Sequence, residues 1–270
     1  MPKRLSLYKR QGQTPVELIQ EYKKKHPQFE SVPMAFAGRL DPLATGKMLI
    51  LVGEECKKRD HYNNLDKTYV FEVLLDVSSD TGDVMGLADV SDNSQNLQAI
   101  ISEKRWKTLV GEHDFPYPIF SSKPVNGKPL FAWALEGKTD HLDIPTKAVE
   151  IYDLTLVSSR QVTVADLQEQ VFEQIDSIPP ITDPNKAWGK DFRRPEIRKR
   201  WNELFAEMKP NREFYVLKFR CTCSSGTYMR TLANEIAKTM GTRGLAFSIH
   251  RTTIGIYKKL SFFKFWIRKY

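Results

Sequence analysis

Apolar and polar positions alternate along this chain in a pattern that predicts helices and strands in mixed order. Thr14-Pro15-Val16-Glu17 has the form of a capping box with proline at the first helical position, and Val16, Ile19 and Tyr22 recur at helical spacing. A packing helix is expected from there to about Lys25. Residues 47 to 52 form a short apolar run, and Tyr69, Phe71, Val73, Leu75 and Val77 alternate onto one face, so both stretches read as strands. Tyr69 stands at the entry of the second strand and faces inward. A helix is expected near 96 to 110, and strands over 149 to 158 and 214 to 223. After the last of these, Ser224-Ser225-Gly226 turns into a helix that ends near Gly241.

Between about 160 and 212 the pattern weakens. Pro179-Pro180, Pro184, Pro195 and Pro210 punctuate it, alongside Arg193-Arg194 and Arg198-Lys199-Arg200-Trp201. The prolines predict loops joining two short helices. The charge run reads first as a solvated face and second as a set of phosphate contacts. The aromatic and basic end, Leu260 to Tyr270, reads as a cover over the core.

Composition sharpens the picture. With 270 residues, of which 41% are apolar and 11% aromatic, the chain can bury a substantial core. A net charge of +8 points to a polyanionic partner, because lysines and arginines that neutralise phosphates release counterions. No stretch approaches the apolar length needed to span a bilayer. Three cysteines without Cys-x-x-Cys spacing and five scattered histidines give neither a disulfide framework nor a metal-ligand set, so no metal and a reducing, cytoplasmic setting are expected. The short basic start leaves no expectation of a cleaved leader.

Candidate chemistry centres on Gly38-Arg39-Leu40-Asp41-Pro42-Leu43-Ala44-Thr45-Gly46, where one carboxylate sits in a glycine-bracketed loop. Pro42 disfavours helical geometry at Asp41, and the glycines permit sharp turns. The same residues also suit an Asp41 that merely caps a short helix.

Four further segments change that balance: Lys9-Arg10-Gln11-Gly12-Gln13-Thr14; Lys67-Thr68-Tyr69 with Ser79-Asp80-Thr81-Gly82-Asp83; Phe120-Ser121-Ser122-Lys123 through Phe131; and Cys223-Ser224-Ser225-Gly226-Thr227-Tyr228-Met229-Arg230. In this order and spacing they resemble the TruB family of tRNA pseudouridine synthases, from about residue 8 to about residue 257. The resemblance implies an α+β pseudouridine synthase fold, a mixed and mostly antiparallel sheet flanked by helices, as one catalytic domain. The 160 to 212 stretch is then an insertion, and the C-terminal PUA domain of many relatives is expected to be lacking.

By resemblance, Asp41 is the catalytic aspartate, which attacks the sugar or abstracts a sugar proton. Arg230 pairs with it, and Tyr69 stacks on the target base. No cofactor is then needed. Phe36, Arg39, Lys67, Ile249, Lys9 and Lys123 are expected to bind substrate, the T arm of tRNA, with the T-loop uridine (position 55) as target and a monomeric enzyme. Two residues depart from the family pattern. Phe36 stands where relatives carry a histidine, and Arg39 resembles the Arg-Leu-Asp of the RsuA and RluA synthases. A different RNA target, or an RNA-binding protein without catalysis on the same scaffold, are the alternatives.

Overall fold

A computed structural model describes residues 1–91, 97–180, 191–260 and 263–270. Among these, nine strands form one sheet, ordered Arg4–Lys9, Thr45–Val52, Gly244–Leu260, Asp66–Leu75, Glu213–Cys223, Thr146–Thr163 and Gly111–Pro116. Met34–Ala37 adds to Thr45–Val52, and Phe263–Lys269 folds back on Gly244–Leu260. Every pairing is antiparallel except that of Thr45–Val52 with Gly244–Leu260, where His250 lies opposite Thr45. The fold is α+β with a mixed, mostly antiparallel sheet.

Alternation decides the two faces. Tyr69, Phe71, Val73 and Leu75 join Leu217, Phe219, Cys221 and Cys223 under the Met229–Thr239 helix, which contributes Leu232, Ala233 and Ile236. On the other face Leu74, Phe214 and Val216 pack against Leu167, Val171, Ile197 and Trp201. Those last four come from the helices Val164–Asp176 and Arg194–Glu207. At 13 and 14 residues they are longer than the proline count suggested, because Pro195 sits in a helix's first turn, where its missing N–H costs nothing. The preceding strand runs on to Thr163, past the expected end at 158. Pro184 lies outside the described residues.

Other boundaries shift for local reasons. The strand expected to reach Val77 stops at Leu75, because Asp76 turns to φ 65 and Val77 pairs instead with Val90. The helix expected over 96 to 110 divides into Leu97–Ser102 and a 3-10 turn, Arg105–Leu109, at the left-handed Lys104; residue 96 is outside the described set. The capping box at Thr14 is made, opening Pro15–Lys25. Its buried side chains are Pro15 and Leu18, with Ile19 partly buried against the core, while Val16 is 53% exposed, so the inward stripe is turned by one position from the expected one. At the C-terminal end Trp266 packs edge-on against Tyr257 and Tyr270 against Tyr62, while Phe265 and Ile267 are exposed. Among the described residues no helix is long and apolar enough to cross a membrane.

Candidate active site

The loop carrying Asp41 is fastened at both ends and from beneath. At its start, Gly38 (φ 72) donates its N–H to Asn63 Oδ1 at 2.9 Å and accepts Arg251 Nη2 at 2.9 Å. At its close, Gly46 takes φ 109, where a Cβ would meet the Arg251 carbonyl at 2.3 Å. Below, the Lys9 ammonium donates to the carbonyls of Arg10, Pro42 and Ala44 at 3.1, 3.0 and 2.6 Å. Lys9 is fully buried, and burial lowers its pKa to about 8. Lys9, expected from the sequence to bind substrate, is thus placed beneath the loop and is not among the residues lining the cleft. Its ammonium is spent on three backbone carbonyls.

Asp41 faces a cleft of about 950 Å³ with its side chain 36% exposed. Opposite it stands Arg230, second residue of the Met229–Thr239 helix and 6% exposed, whose Nε donates to Asp41 Oδ2 at 2.9 Å. The rest of the guanidinium is committed as well: Nη1 donates to the Thr81 carbonyl at 2.7 Å and Nη2 to the Phe120 carbonyl at 3.1 Å. Three fixed acceptors leave the fork one orientation. Asp83 Oδ2 approaches the same Nε at 3.8 Å. Burial works against the charge on Arg230, but Asp41 and Asp83 outweigh it and raise its pKa. Burial also raises Asp83, whose Oδ1 accepts from the Thr81 hydroxyl at 2.7 Å and the Met85 N–H at 3.0 Å.

Tyr69 lies in the cleft floor, 8% exposed and in register with Arg251 and Cys221 on the neighbouring strands. Burial raises its pKa. Lys67, two residues earlier and on the same face, donates to the Asn63 carbonyl at 2.8 Å, and burial beside Arg251 lowers its pKa to about 8. Phe36, Arg39 and Ile249 complete the wall on this side, with the Arg59 guanidinium 4.9 Å above the Phe36 ring. Lys123 is not on the cleft, and its ammonium lies 5.0 Å over the Tyr117 ring. Seven of the nine residues singled out from the sequence thus meet along one cleft, and Lys9 and Lys123 do not.

Several cleft residues had been given no role. Asp83 and Thr81 stood in a run dense with turn formers, and two carboxylates so close in sequence were the available signal. Arg251, 1% exposed, ties the start of the loop to the Thr45–Val52 strand through Gly38, Lys47 and Met48. Arg193 had been grouped with the surface charge run. It pairs with Asp80 at 2.7 Å and stacks 4.4 Å over the Phe120 ring, joining the two segments whose carbonyls hold Arg230. The rest of that run is engaged within the molecule: Arg194 on Asp191 and the Ile175 and Ile178 carbonyls, Arg198 on Asp176, Lys199 on Glu203 and Arg200 on the Ala88 carbonyl. Among the described residues no group of three or more His, Cys, Asp or Glu side chains is placed to hold a metal ion.

Residues 25–172 match the family model described as TruB family pseudouridylate synthase (N terminal domain). The chain belongs to the TruB family. It is 27% identical over 231 residues to tRNA pseudouridine synthase B of Francisella tularensis subsp. novicida, covering 85% of the chain and 58% of that protein. It is also 27% identical over 255 residues to the Borreliella afzelii protein of the same name, covering 94% of the chain and 70% of the relative. This TruB-family chain thus spans little more than half the length of the Francisella relatives. Its fold is similar to a chain in a crystal structure of a Cbf5-Nop10-Gar1 complex, with TM-score 0.51 and 15% identity over 93% of this chain and 48% of that one. Asp41 and Tyr69 fall inside the span matched by the TruB model, and Arg230 falls beyond it.

Proposed function

We propose that this chain is an RNA pseudouridine synthase, an isomerase that acts on a uridine in the T loop of tRNA (position 55). The observation that carries the reading is the Asp41 carboxylate, held by Arg230 at 2.9 Å on the wall of a cleft floored by Tyr69. Breaking the N1–C1′ bond of uridine and forming C5–C1′ requires a carboxylate at the sugar, a holder for the freed base and removal of the C5 proton, which N1 regains in the balance. Asp41 acts at the sugar. The Tyr69 ring offers a flat face on which uracil can turn, since stacking tolerates rotation better than directed hydrogen bonds do. Ile249 lines the base pocket. The residues that do this are all on the chain, so the reading needs neither cofactor nor metal, and it places a monomer in the cytoplasm.

The target base is reached by flipping it out of a folded loop, at a cost of roughly a few kcal/mol. Phe36, stacked with Arg59, and Arg39 at the mouth of the cleft stand where the flipped strand enters. A net charge of +8 supports a phosphate-rich partner.

The second reading keeps the reaction and changes the RNA. It is favoured by Phe36 standing in place of the family histidine. Mapping pseudouridine in total RNA from cells lacking the gene, with and without added protein, decides between them. Conversion confined to the T loop supports the first reading, and conversion elsewhere supports the second. No new pseudouridine in any RNA would leave a binding protein on this scaffold.

A further inference from the structure

A second pocket, of about 320 Å³, adjoins the catalytic cleft. Phe36 and Arg59 line both, so their stacked pair forms the ridge between the two chambers. Strand alternation puts Met34 on the same face as Phe36, toward the Pro15–Lys25 helix, which brings Val16, Ile19 and Gln20 to the far wall. This lining is open to solvent: Arg59 and Gln20 are exposed, Val16 is 53% exposed, and Ile19, Met34 and Phe36 are half-buried. An apolar hollow at the lower end of the roughly 300–1,000 Å³ typical of small-molecule sites has room for one flat ring.

Positive charge at the ridge is uncompensated. Among the described residues the Arg59 guanidinium lies 4.9 Å over the Phe36 ring and has no carboxylate within ion-pair range. Lys23 brings a second cation to the pocket, its Nζ on the Glu30 carbonyl at 3.1 Å. The acids of the same helix are turned to other partners, Glu17 to the Thr14 N–H at 2.7 Å and Glu21 to Arg10 at 2.9 Å. Arg59 is also firmly mounted. Its N–H donates to the Cys56 carbonyl, and the short helix it opens, Arg59–Asn63, ends on a residue whose side chain accepts the Gly38 N–H at 2.9 Å and whose carbonyl accepts Lys67 at 2.8 Å. The ridge is thereby fixed to the loop that aims Asp41.

We propose that the second pocket takes the unstacked base of the nucleotide adjoining the target uridine, while Arg59 holds the phosphodiester that joins the two nucleotides across the ridge. Bases splayed out of RNA stack on aromatic rings and arginine planes, and polar side chains such as Gln20 meet their edges. A guanidinium suits the phosphate, which supplies both charge and paired acceptors. Two chambers divided by one cation match two successive nucleotides of one strand: the target uracil over Tyr69, and its neighbour against Phe36, Met34 and Val16. The occupant rests on the isomerase reading above, while the pocket is tested by binding alone.

The test is a binding cycle on T-arm hairpins that carry an abasic residue at each position flanking the target, one at a time. Wild-type protein, Arg59→Gln and Val16→Trp are compared by fluorescence anisotropy. Wild type loses about tenfold in affinity when the abasic residue is on one side of the target and little when it is on the other. Val16→Trp, which fills the pocket from an exposed helix position, binds the native hairpin about tenfold more weakly and does not respond to that abasic residue. Arg59→Gln binds the native hairpin about tenfold more weakly, with a salt slope reduced by about one. Equal losses at every abasic position, or variants that bind and respond like wild type, would overturn the assignment. So would a Val16→Trp protein altered in self-association instead of RNA binding, the mark of a second copy of the chain in the pocket. A cycle that closes as expected on hairpins that undergo no turnover would remove the isomerase reading and keep the pocket; turnover without the cycle would do the reverse, and no binding to RNA would remove both.

Discussion

Arg230 and Asp41 are 189 residues apart in sequence and meet at 2.9 Å, the arginine at the start of a helix and the aspartate in a loop from the opposite end of the chain. The loop is immobilised by Lys9 and Arg251, and the guanidinium by two backbone carbonyls. The carboxylate is therefore aimed before any substrate arrives. Such preorganisation is worth most in a site that excludes water.

Arg230→Lys keeps the charge and discards the fork. A lysine cannot reach Asp41, Thr81 and Phe120 together, so single-turnover pseudouridine formation falls by about a hundredfold or more. RNA affinity stays within about threefold, because Arg230 is buried and its hydrogen bonds are internal. Rapid-quench kinetics beside equilibrium binding separates the two effects.

Binding should weaken above pH 8. Lys67 lies in the cleft with its pKa lowered to about 8, so it is a cation below that value and neutral above it. Bound phosphate favours the charged form, and affinity then falls by at most about tenfold per pH unit for one linked proton. Lys67→Met binds less tightly at pH 7 and loses this slope. For folding the sign is the reverse: between about 8 and 10.5 the unfolded chain holds the Lys67 proton more tightly than the native one, so this group's contribution to stability rises with pH. Anisotropy titrations from pH 7 to 9.5 at constant ionic strength, with denaturation over the same range, check both.

Gly46→Ala and Gly53→Ala form a matched pair. Both glycines have positive φ, but a Cβ at 46 meets Arg251 backbone at 2.3 and 2.7 Å, whereas at 53 nothing lies within 4 Å. Urea denaturation should show a loss of about 3 kcal/mol for the first and about 1 kcal/mol for the second. Only Gly46→Ala should also reduce turnover, since position 46 closes the Asp41 loop.

Trp201 connects the 160 to 212 stretch to the catalytic half. It is fully buried, stacks on Phe205 and donates its indole N–H to the Val84 carbonyl at 3.0 Å, next to Asp83. Trp201→Ala should cost about 3–5 kcal/mol in denaturation and lower turnover as well. If the stretch were a detachable excursion, stability would fall with turnover of the folded fraction unchanged.

The parts legible in the sequence were those set by local rules. The Thr14 capping box, the alternation from Tyr69 to Leu75 and the turn into the Met229–Thr239 helix need only near neighbours, and their order along the chain carried the family. What local rules miss is what a residue meets across the sheet. Lys9 reads as a basic residue in a family motif, and only the fold puts three carbonyls around it. The proline-rich 160 to 212 stretch reads as loops joining two short helices, yet Trp201 and Ile197 pack against Leu74 on the sheet face opposite Tyr69 and make those helices a second layer. Asp83 gained its place from Arg230, whose position no spacing could give.

The central claim is that the Asp41 carboxylate drives isomerisation of an RNA uridine. Tritium release from tRNA labelled at uracil C5, measured for wild type and Asp41→Asn at equal RNA occupancy, tests it most directly. The account predicts stoichiometric release by wild type and none above background by the variant, with RNA affinity kept. No release by wild type, or equal release by both proteins, would contradict it.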